Sequence, residues 1–231
     1  MLEIIYQDEW LVAINKPHGL LVHRTPLAKD ATEFALQMLR DQLDQKVFPA
    51  HRIDRKTSGI LLFTLDSDSD RLMQMQFAER KTSKRYLSIV RGHTEDTFTI
   101  DYALKRDDGK TQEAVTEVKT LERYEIPVPL GAFPTSRYSL VEAKPITGRM
   151  HQIRKHLAHI HHPIIGDRPH GCNKQNKLFK DKWDMMSMML HAQELSFTHP
   201  ITEQPVTITA QLSDDFKRVL GIVNSSNPPN Q

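Results

Sequence analysis

The chain contains the segment HRIDRKTSG at residues 51–59, which leads directly into the apolar run Ile60-Leu61-Leu62-Phe63. A continuous apolar run of this length predicts a strand that is buried on both faces. Asp54 would then lie in a loop at the mouth of that strand, between Arg52 and Arg55. Nearby positive charge favours an ionised carboxylate, the form that can act as a nucleophile. The alternative is a structural Asp54 held by ion pairs at a strand entry.

Other segments predict a chain that is rich in strands and has interspersed helices. Alternating or apolar stretches predict two short strands within residues 3–14, strands over Val115–Leu121 and Tyr138–Ala143, and a hairpin from Leu195 to Ile208. Helical spacing predicts helices over residues 31–45, from Ser67 to about Arg80, and along Met150, Ile153, Leu157 and Ile160. The three prolines within residues 126–134 predict an exposed excursion. These elements together favour an α+β fold.

The composition is typical of a globular protein outside membranes. Of 231 residues, 39% are hydrophobic and 26% are charged. No apolar run approaches the ~20 residues that a membrane helix needs, and the N-terminal MLEIIYQDEW does not resemble a secretory signal. Cys172 is the single cysteine, so the chain cannot form an internal disulfide. We expect a reducing, cytoplasmic location with no membrane association and no obligate protein partner.

Positive charge is concentrated in one part of a nearly neutral chain. The net charge is +2, yet residues 149–182 contain eight Lys or Arg and only two acids, Asp167 and Asp181. A local basic field suits a polyanion such as RNA. The alternative is an ordinary solvated basic face.

Six blocks of sequence resemble, in the same order, those of the RluA-type pseudouridine synthases. The segment HRIDRKTSG resembles the family's HRLDxxTSG motif, with Ile53 in place of leucine. The other blocks are Asn15–His23 (NKPHGLLVH), Lys84-Arg85-Tyr86, Thr147–Arg154 (TGRMHQIR), His162–Asp167 (HPIIGD) and Leu190-His191-Ala192. Because ordered blocks along nearly the whole chain are more specific than one motif, we identify the chain as a member of this family.

The resemblance implies one catalytic domain with a mixed, largely antiparallel sheet flanked by helices and loops. We place this domain at residues 1–215 and a partly disordered C-terminal tail at residues 216–231. The implied reaction detaches uracil N1 from ribose and rejoins the base through C5. As an isomerisation, it requires no cofactor. Asp54 is the predicted catalytic residue, and its attack on a base carbon, its attack on C1′ and its removal of a sugar proton all remain open.

The resemblance also assigns substrate-binding residues. Arg154 would pair with Asp54, and a buried salt bridge that ties helix to strand is a structural role compatible with that contact. Tyr86 would contact the target base, whereas a lone strand tyrosine is usually core packing. Arg52 would fill the gap left by a flipped-out uridine, or else bind a phosphate or form an ion pair. The same set includes His51, Lys84 and Arg149, and weaker candidates for phosphate contacts are Lys16, His23 and Arg24.

The histidines do not predict a metal site. His156, His159 and His162 recur every three residues, but a helix fans such positions apart. No cysteine or carboxylate completes the set. We expect no metal and interpret these histidines as polar or RNA-facing.

The resemblance narrows further to a subgroup that modifies uridine 65 of tRNA. Phe133–Tyr138 (FPTSRY) and Arg154–Pro163 (RKHLAHIHHP) resemble that subgroup, and no extra RNA-binding domain precedes the blocks. The alternatives are a synthase acting on ribosomal RNA, a non-catalytic RNA-binding protein of the same fold, and a glycosidase. The last usually needs two catalytic carboxylates ~5–10 Å apart, whereas Asp66, Asp68 and Asp70 are better explained as helix caps.

Overall fold

The computed structural model describes residues 1–24, 32–106 and 108–224. The strands are β1 (Ile4–Gln7), β2 (Leu11–Lys16), β3 (Phe48–Pro49), β4 (Ser58–Thr64), β5 (Ser83–Arg91), β6 (Thr97–Asp101), β7 (Leu104–Lys105), β8 (Thr111–Gln112), β9 (Val115–Ile126), β10 (Ser136–Pro145), β11 (Leu190–Thr198) and β12 (Pro205–Thr209). The helices are α1 (Ala35–Leu43), α2 (Ser67–Ala78), α3 (Gln152–His159), α4 (Asn173–Trp183) and α5 (Asp214–Asn224).

The chain folds as two compact units, each formed from two segments. The first unit contains residues 1–84 and 191–212, and the second contains residues 85–190 and 213–231. Within the units, the described strand pairings are antiparallel except that of β4 with β11. The predicted α+β fold with a largely antiparallel sheet is therefore confirmed.

β4 is the centre of the first unit. It pairs with β2 on one edge and with β3 and β11 on the other, and every one of its residues is buried. Because side chains alternate across a strand, Ile60 and Leu62 enter one hydrophobic cluster while Leu61 and Phe63 enter another. The apolar run therefore forms the two-faced strand that the sequence predicts.

In the second unit, β10 pairs with β5 and β9, and β9 also pairs with β6. Helix α3 packs on β9 and β10, and α5 packs on β9. Buried side chains from the helices complete the core, including Ile153 and Leu157 of α3 and Phe216 and Val219 of α5. This unit carries the basic stretch at residues 149–182.

Element bounds differ from the predictions by a few residues at several strands and helices, and most clearly at the first and last helices. The predicted helix at residues 31–45 is observed as Ala35–Leu43, and residues 25–31 lie outside the described part. The predicted tail begins at residue 216, but Asp214–Asn224 form α5, which buries Phe216, Val219 and Val223. This apolar stripe at helical spacing explains why the segment folds. Residues 225–231 lie outside the described part, and the single-domain division at residue 215 stays a prediction.

No helix in the described residues is long and apolar enough to cross a membrane.

Candidate active site

The loop that carries Asp54 is closed by a backbone hydrogen bond. The Thr57 amide donates to the Asp54 carbonyl oxygen at 3.0 Å. Ile53 and Thr57 are buried on either side, whereas Asp54 is half-buried and Arg52 is exposed. The apolar and hydroxyl side chains thus anchor the loop and leave the carboxylate at its surface.

Lys16, at the end of β2, fixes this loop to the turn that follows it. Its Nζ is buried and donates to the carbonyl oxygens of Pro17 (3.0 Å), Leu20 (2.9 Å) and Arg55 (3.2 Å). The Gly19 amide also donates to the Arg55 carbonyl oxygen at 2.8 Å, and Arg55 Nε donates back to the Gly19 carbonyl oxygen at 3.0 Å. Two blocks of the family resemblance, separated by about forty positions, therefore meet around one ammonium group.

The charge of Lys16 interacts with Asp54. Burial lowers the pKa of Lys16 to about 7, and the nearby Asp54 carboxylate acts in the opposite direction. Lys16 was among the weaker candidates for a phosphate contact, and that prediction is wrong, since its ammonium is enclosed by carbonyl groups. It is a positioning residue of the Asp54 loop.

The other end of the HRIDRKTSG segment is fixed by β11. Ser58 and Gly59 lie opposite His191 and Ala192 in the parallel pairing. Ser58 Oγ is 2.9 Å from His191 Nδ1, and burial lowers the pKa of His191 to about 4. Gly59 has a φ of +101°, and a Cβ there would lie 2.2 Å from the Ala192 carbonyl oxygen. Only glycine accommodates both the positive φ and the close approach of Ala192. The packing of the two backbones therefore joins the Leu190-His191-Ala192 block to the HRIDRKTSG segment.

His51 acts as a hydrogen-bond acceptor at the start of the loop. The Leu62 amide of β4 donates to His51 Nε2 at 3.1 Å, and the His51 ring lies 5.1 Å from that of Phe77. The pKa of His51 is lowered to about 3, mainly by burial and secondly by the positive charge of Lys84. Burial also lowers the pKa of Lys84. A neutral His51 that accepts from the backbone ties the loop to the sheet, and its predicted contact with RNA stays a prediction.

In the second unit, Arg154 of α3 forms a buried, bidentate ion pair with Asp167. Arg154 Nε and Nη2 each lie 2.8 Å from an Asp167 carboxylate oxygen, and the side chains are only 4% and 1% exposed. The planar guanidinium suits this two-point contact. The family resemblance pairs Arg154 with Asp54, which belongs to the other unit, and that pairing stays a prediction. Asp167 was not predicted as a partner of Arg154, although it lies in the HPIIGD block.

Gln152, which was not among the predicted site residues, organises the segment before α3. Its Oε1 accepts from Thr147 Oγ1 (2.6 Å) and from the Arg149 amide (3.0 Å). Its Nε2 donates to the Val115 carbonyl oxygen and to Thr116 Oγ1, both at 2.9 Å. A buried glutamine that is saturated in this way fixes the segment against β9. The signal in the sequence was its place inside the TGRMHQIR block.

Two other predicted site residues lie in the second unit. Tyr86 of β5 is opposite Ala143 of β10 and is partly buried. Arg149 is partly buried, and its Nε donates to the Glu113 carbonyl oxygen at 2.9 Å. The structure thus places Asp54, Arg52, His51 and Lys84 in the first unit and Tyr86, Arg149 and Arg154 in the second.

The three histidines considered for a metal have separate protein partners. His156 is buried, with Nδ1 at 2.9 Å from Thr116 Oγ1 and Nε2 at 2.9 Å from the Tyr102 carbonyl oxygen. His159 stacks on the Tyr102 ring at 3.6 Å, and His162 Nδ1 is 2.8 Å from the Arg91 carbonyl oxygen. Among the described residues, no group of three or more His, Cys, Asp or Glu is arranged to hold a metal ion.

Comparison with known proteins connects this geometry to one family. The family model described as RNA pseudouridylate synthase matches residues 10–159. A relative named tRNA pseudouridine synthase C from Vibrio parahaemolyticus is 48% identical, over 94% of this chain and 93% of the relative. Proteins of the same name from Salmonella typhimurium and Haemophilus influenzae are 47% and 45% identical, over 95% of this chain and 89% and 97% of their own lengths.

Solved structures support the same fold. Human RNA Pseudouridylate Synthase Domain Containing 1 aligns with a TM-score of 0.73 at 23% identity, over 100% of this chain and 97% of its own. Human RNA Pseudouridylate Synthase Domain Containing 4 also has a TM-score of 0.73, at 26% identity over 96% of this chain and 93% of its own.

Proposed function

Because the chain belongs to the RluA-type family of RNA pseudouridine synthases, we propose that it isomerises uridine to pseudouridine in tRNA, at position 65, with Asp54 as the nucleophile. The substrate class rests on the relatives, which are named as synthases acting on tRNA. The observation that carries the role of Asp54 is its loop, which Lys16 fixes through three carbonyl groups.

The reaction conserves every atom of the nucleotide. The bond between N1 and C1′ breaks, the uracil turns, and a bond forms between C5 and C1′. C5 then loses its proton and N1 gains one, so no redox cofactor or group donor is needed. Asp54 assists the cleavage as the nucleophile, and the site must retain the detached base until the second bond forms.

Positioning is the main task of the Asp54 loop. A nucleophile reacts fast only when it is held close to the attack geometry. The backbone contacts of Lys16, Gly19, His51 and Thr57 all hold the loop, and they leave the half-buried carboxylate of Asp54 able to meet a substrate. The loop is therefore built for a fixed carboxylate.

The target uridine must leave the base stack before Asp54 can reach it, which costs a few kcal/mol. We propose that the exposed Arg52 fills the resulting gap. We propose that Tyr86 stacks on the extruded base, a contact worth ~1–3 kcal/mol. We propose that positive charge for the RNA backbone comes from Lys84 and Arg149, and that Arg154 contacts the Asp54 carboxylate. His51 lies at the base of the loop.

Purified protein and a transcribed tRNA test this proposal through pseudouridine mapping at single-nucleotide resolution. The wild-type protein should convert uridine 65, and a transcript with cytidine at that position should give no product. Asp54→Asn should form no product while its affinity for tRNA stays within a few fold. Asp68→Asn, an exposed carboxylate at the start of α2, is the matched control and should behave as wild type.

Product from Asp54→Asn at the wild-type rate would refute the nucleophile. Conversion of a ribosomal RNA fragment in place of tRNA would keep the chemistry and refute the substrate.

A further inference from the structure

Helix α4 is held in one rotational orientation by its inner face. Gln175 and Phe179 are buried there. Tyr138 Oη of β10 donates to Gln175 Oε1 at 2.8 Å, and the Tyr138 ring meets the Phe179 ring edge-on at 5.3 Å. One hydrogen bond and one ring contact on adjacent turns fix which side chains of α4 point away from the core.

The opposite face of α4 is basic. Lys174, Lys177 and Lys180 are exposed and recur every three residues, so they spread over about a third of the helix circumference, on the side away from the core, and over a rise of roughly 9 Å. The carboxylate on this face is Asp181, which pairs with Lys177 at 2.7 Å. Exposed ion pairs contribute little to stability, so an incoming anion can compete for Lys177.

A pocket with a volume of about 330 Å³ lies beside these lysines. Arg168, Asn173, Lys177 and Lys180 line it together with Asp181, the ion-pair partner of Lys177. Three cations against one carboxylate leave this lining net positive, which suits contacts to phosphate oxygens. Met186 lies against Arg168, with Nη2 at 3.8 Å from Sδ, and adds a small apolar border.

The basic surface is joined to the Arg154 ion pair through Asn176. The Asn176 side chain accepts from the Gly166 amide at 2.9 Å and donates to the Asp167 carbonyl oxygen at 2.7 Å. The Asp167 carboxylate in turn holds Arg154. Gly171 packs so closely that a Cβ there would lie 1.8 Å from the Asp167 carbonyl oxygen. The surface is therefore rigidly connected to a residue of the proposed active site.

We infer that the outer face of α4 (Lys174, Lys177 and Lys180) and Arg168 form a docking surface for the phosphates of tRNA. The inference rests on the proposed function, which supplies a polyanionic substrate. Charge complementarity favours RNA over a protein partner, because the surface presents four exposed cations and few apolar groups. None of these four cations belongs to the residues proposed to contact the target uridine, so binding here is expected to change affinity for tRNA and not the chemical step.

The test compares two triple variants of the full chain in tRNA binding. Lys174→Gln/Lys177→Gln/Lys180→Gln removes the helix cations. Lys46→Gln/Lys119→Gln/Lys217→Gln removes three other exposed lysines as the matched control. Both sets are introduced into Asp54→Asn, so that turnover does not disturb the equilibrium, and thermal melting verifies that each variant folds.

Binding is measured as a function of salt, because each phosphate contact contributes roughly 0.7 to 0.9 to the slope of log K against log salt. The α4 variant should lower that slope by about two to three, and should therefore weaken tRNA binding by about a hundredfold or more near 0.1 M salt. The control should change both far less. A slope and an affinity equal to those of the control would overturn the inference.

The same lysine substitutions are also made in the chain that retains Asp54, and the turnover of these variants separates docking from chemistry. The α4 variant should raise KM for tRNA and leave kcat near wild type, whereas a fall in kcat with unchanged KM would contradict docking. Failure of the proposed function gives a different result, because wild-type protein would then form no pseudouridine in tRNA. The binding comparison does not depend on turnover and would still test the docking surface.

Discussion

The buried pair of Arg154 and Asp167 offers a quantitative prediction. Two hydrogen bonds of 2.8 Å join side chains that are almost fully enclosed. Removal of Arg154 takes away the bidentate partner of the buried Asp167 carboxylate, which costs about 3–5 kcal/mol. For a chain of this size, each kcal/mol lowers Tm by roughly 2–4 °C, so Arg154→Met should lower Tm by about 6–20 °C, and Asp167→Leu should lower it as well.

The double variant distinguishes the pair from two independent residues. Arg154→Met/Asp167→Leu removes both charges and replaces them with apolar groups, which is often neutral or even stabilising. We therefore expect the double variant to be more stable than either single variant, with an interaction energy of at least about 2 kcal/mol. Urea unfolding of the four proteins gives the free energies of unfolding. Strictly additive effects would refute the reasoning that this pair is a coupled, buried unit.

Two further predictions concern the join between β4 and β11. Gly59→Ala should lower the free energy of unfolding by more than about 3 kcal/mol or prevent folding, because its Cβ would lie 2.2 Å from a backbone oxygen at a φ of +101°. Chemical denaturation measures this free energy, and a decrease below about 1 kcal/mol would contradict the prediction. The pKa of His191 is about 4 in the folded protein and near 6.5 in the unfolded chain. The unfolded state therefore binds more protons below pH 6.5. Protonation of His191 in the unfolded chain should lower the free energy of unfolding by about 3 kcal/mol as the pH falls to 4. His191→Gln should lose that part of the slope, and an unchanged pH profile would contradict the assignment.

Local pattern predicted the elements whose signal lies in a few adjacent residues. The run Ile60-Leu61-Leu62-Phe63 specified a strand with two buried faces, because no polar position interrupts it. Asp66 was explained as a cap, and its side chain accepts from the amides of Asp68 and Ser69. Helix α4 was not predicted, since Gln175 and Phe179 are the residues that it buries and its lysines were interpreted as a basic field suited to RNA or as a solvated face.

Contacts between distant segments were harder to predict. Lys16 ends a buried strand, yet nothing in its neighbourhood reveals that three carbonyl groups from two loops enclose its ammonium. The partner of Arg154 was also missed, because Asp167 approaches only after the chain has turned beyond α3. Both residues lie in family blocks, but the sequence does not reveal these hydrogen-bond partners, which only the fold brings together.

The measurement that tests the central claim most directly is pseudouridine mapping at single-nucleotide resolution on total RNA from cells with and without this gene. Loss of the signal at tRNA position 65, restored by the wild-type chain and not by Asp54→Asn, is the predicted result. An intact signal in cells lacking the gene, or restoration by Asp54→Asn, would contradict the account.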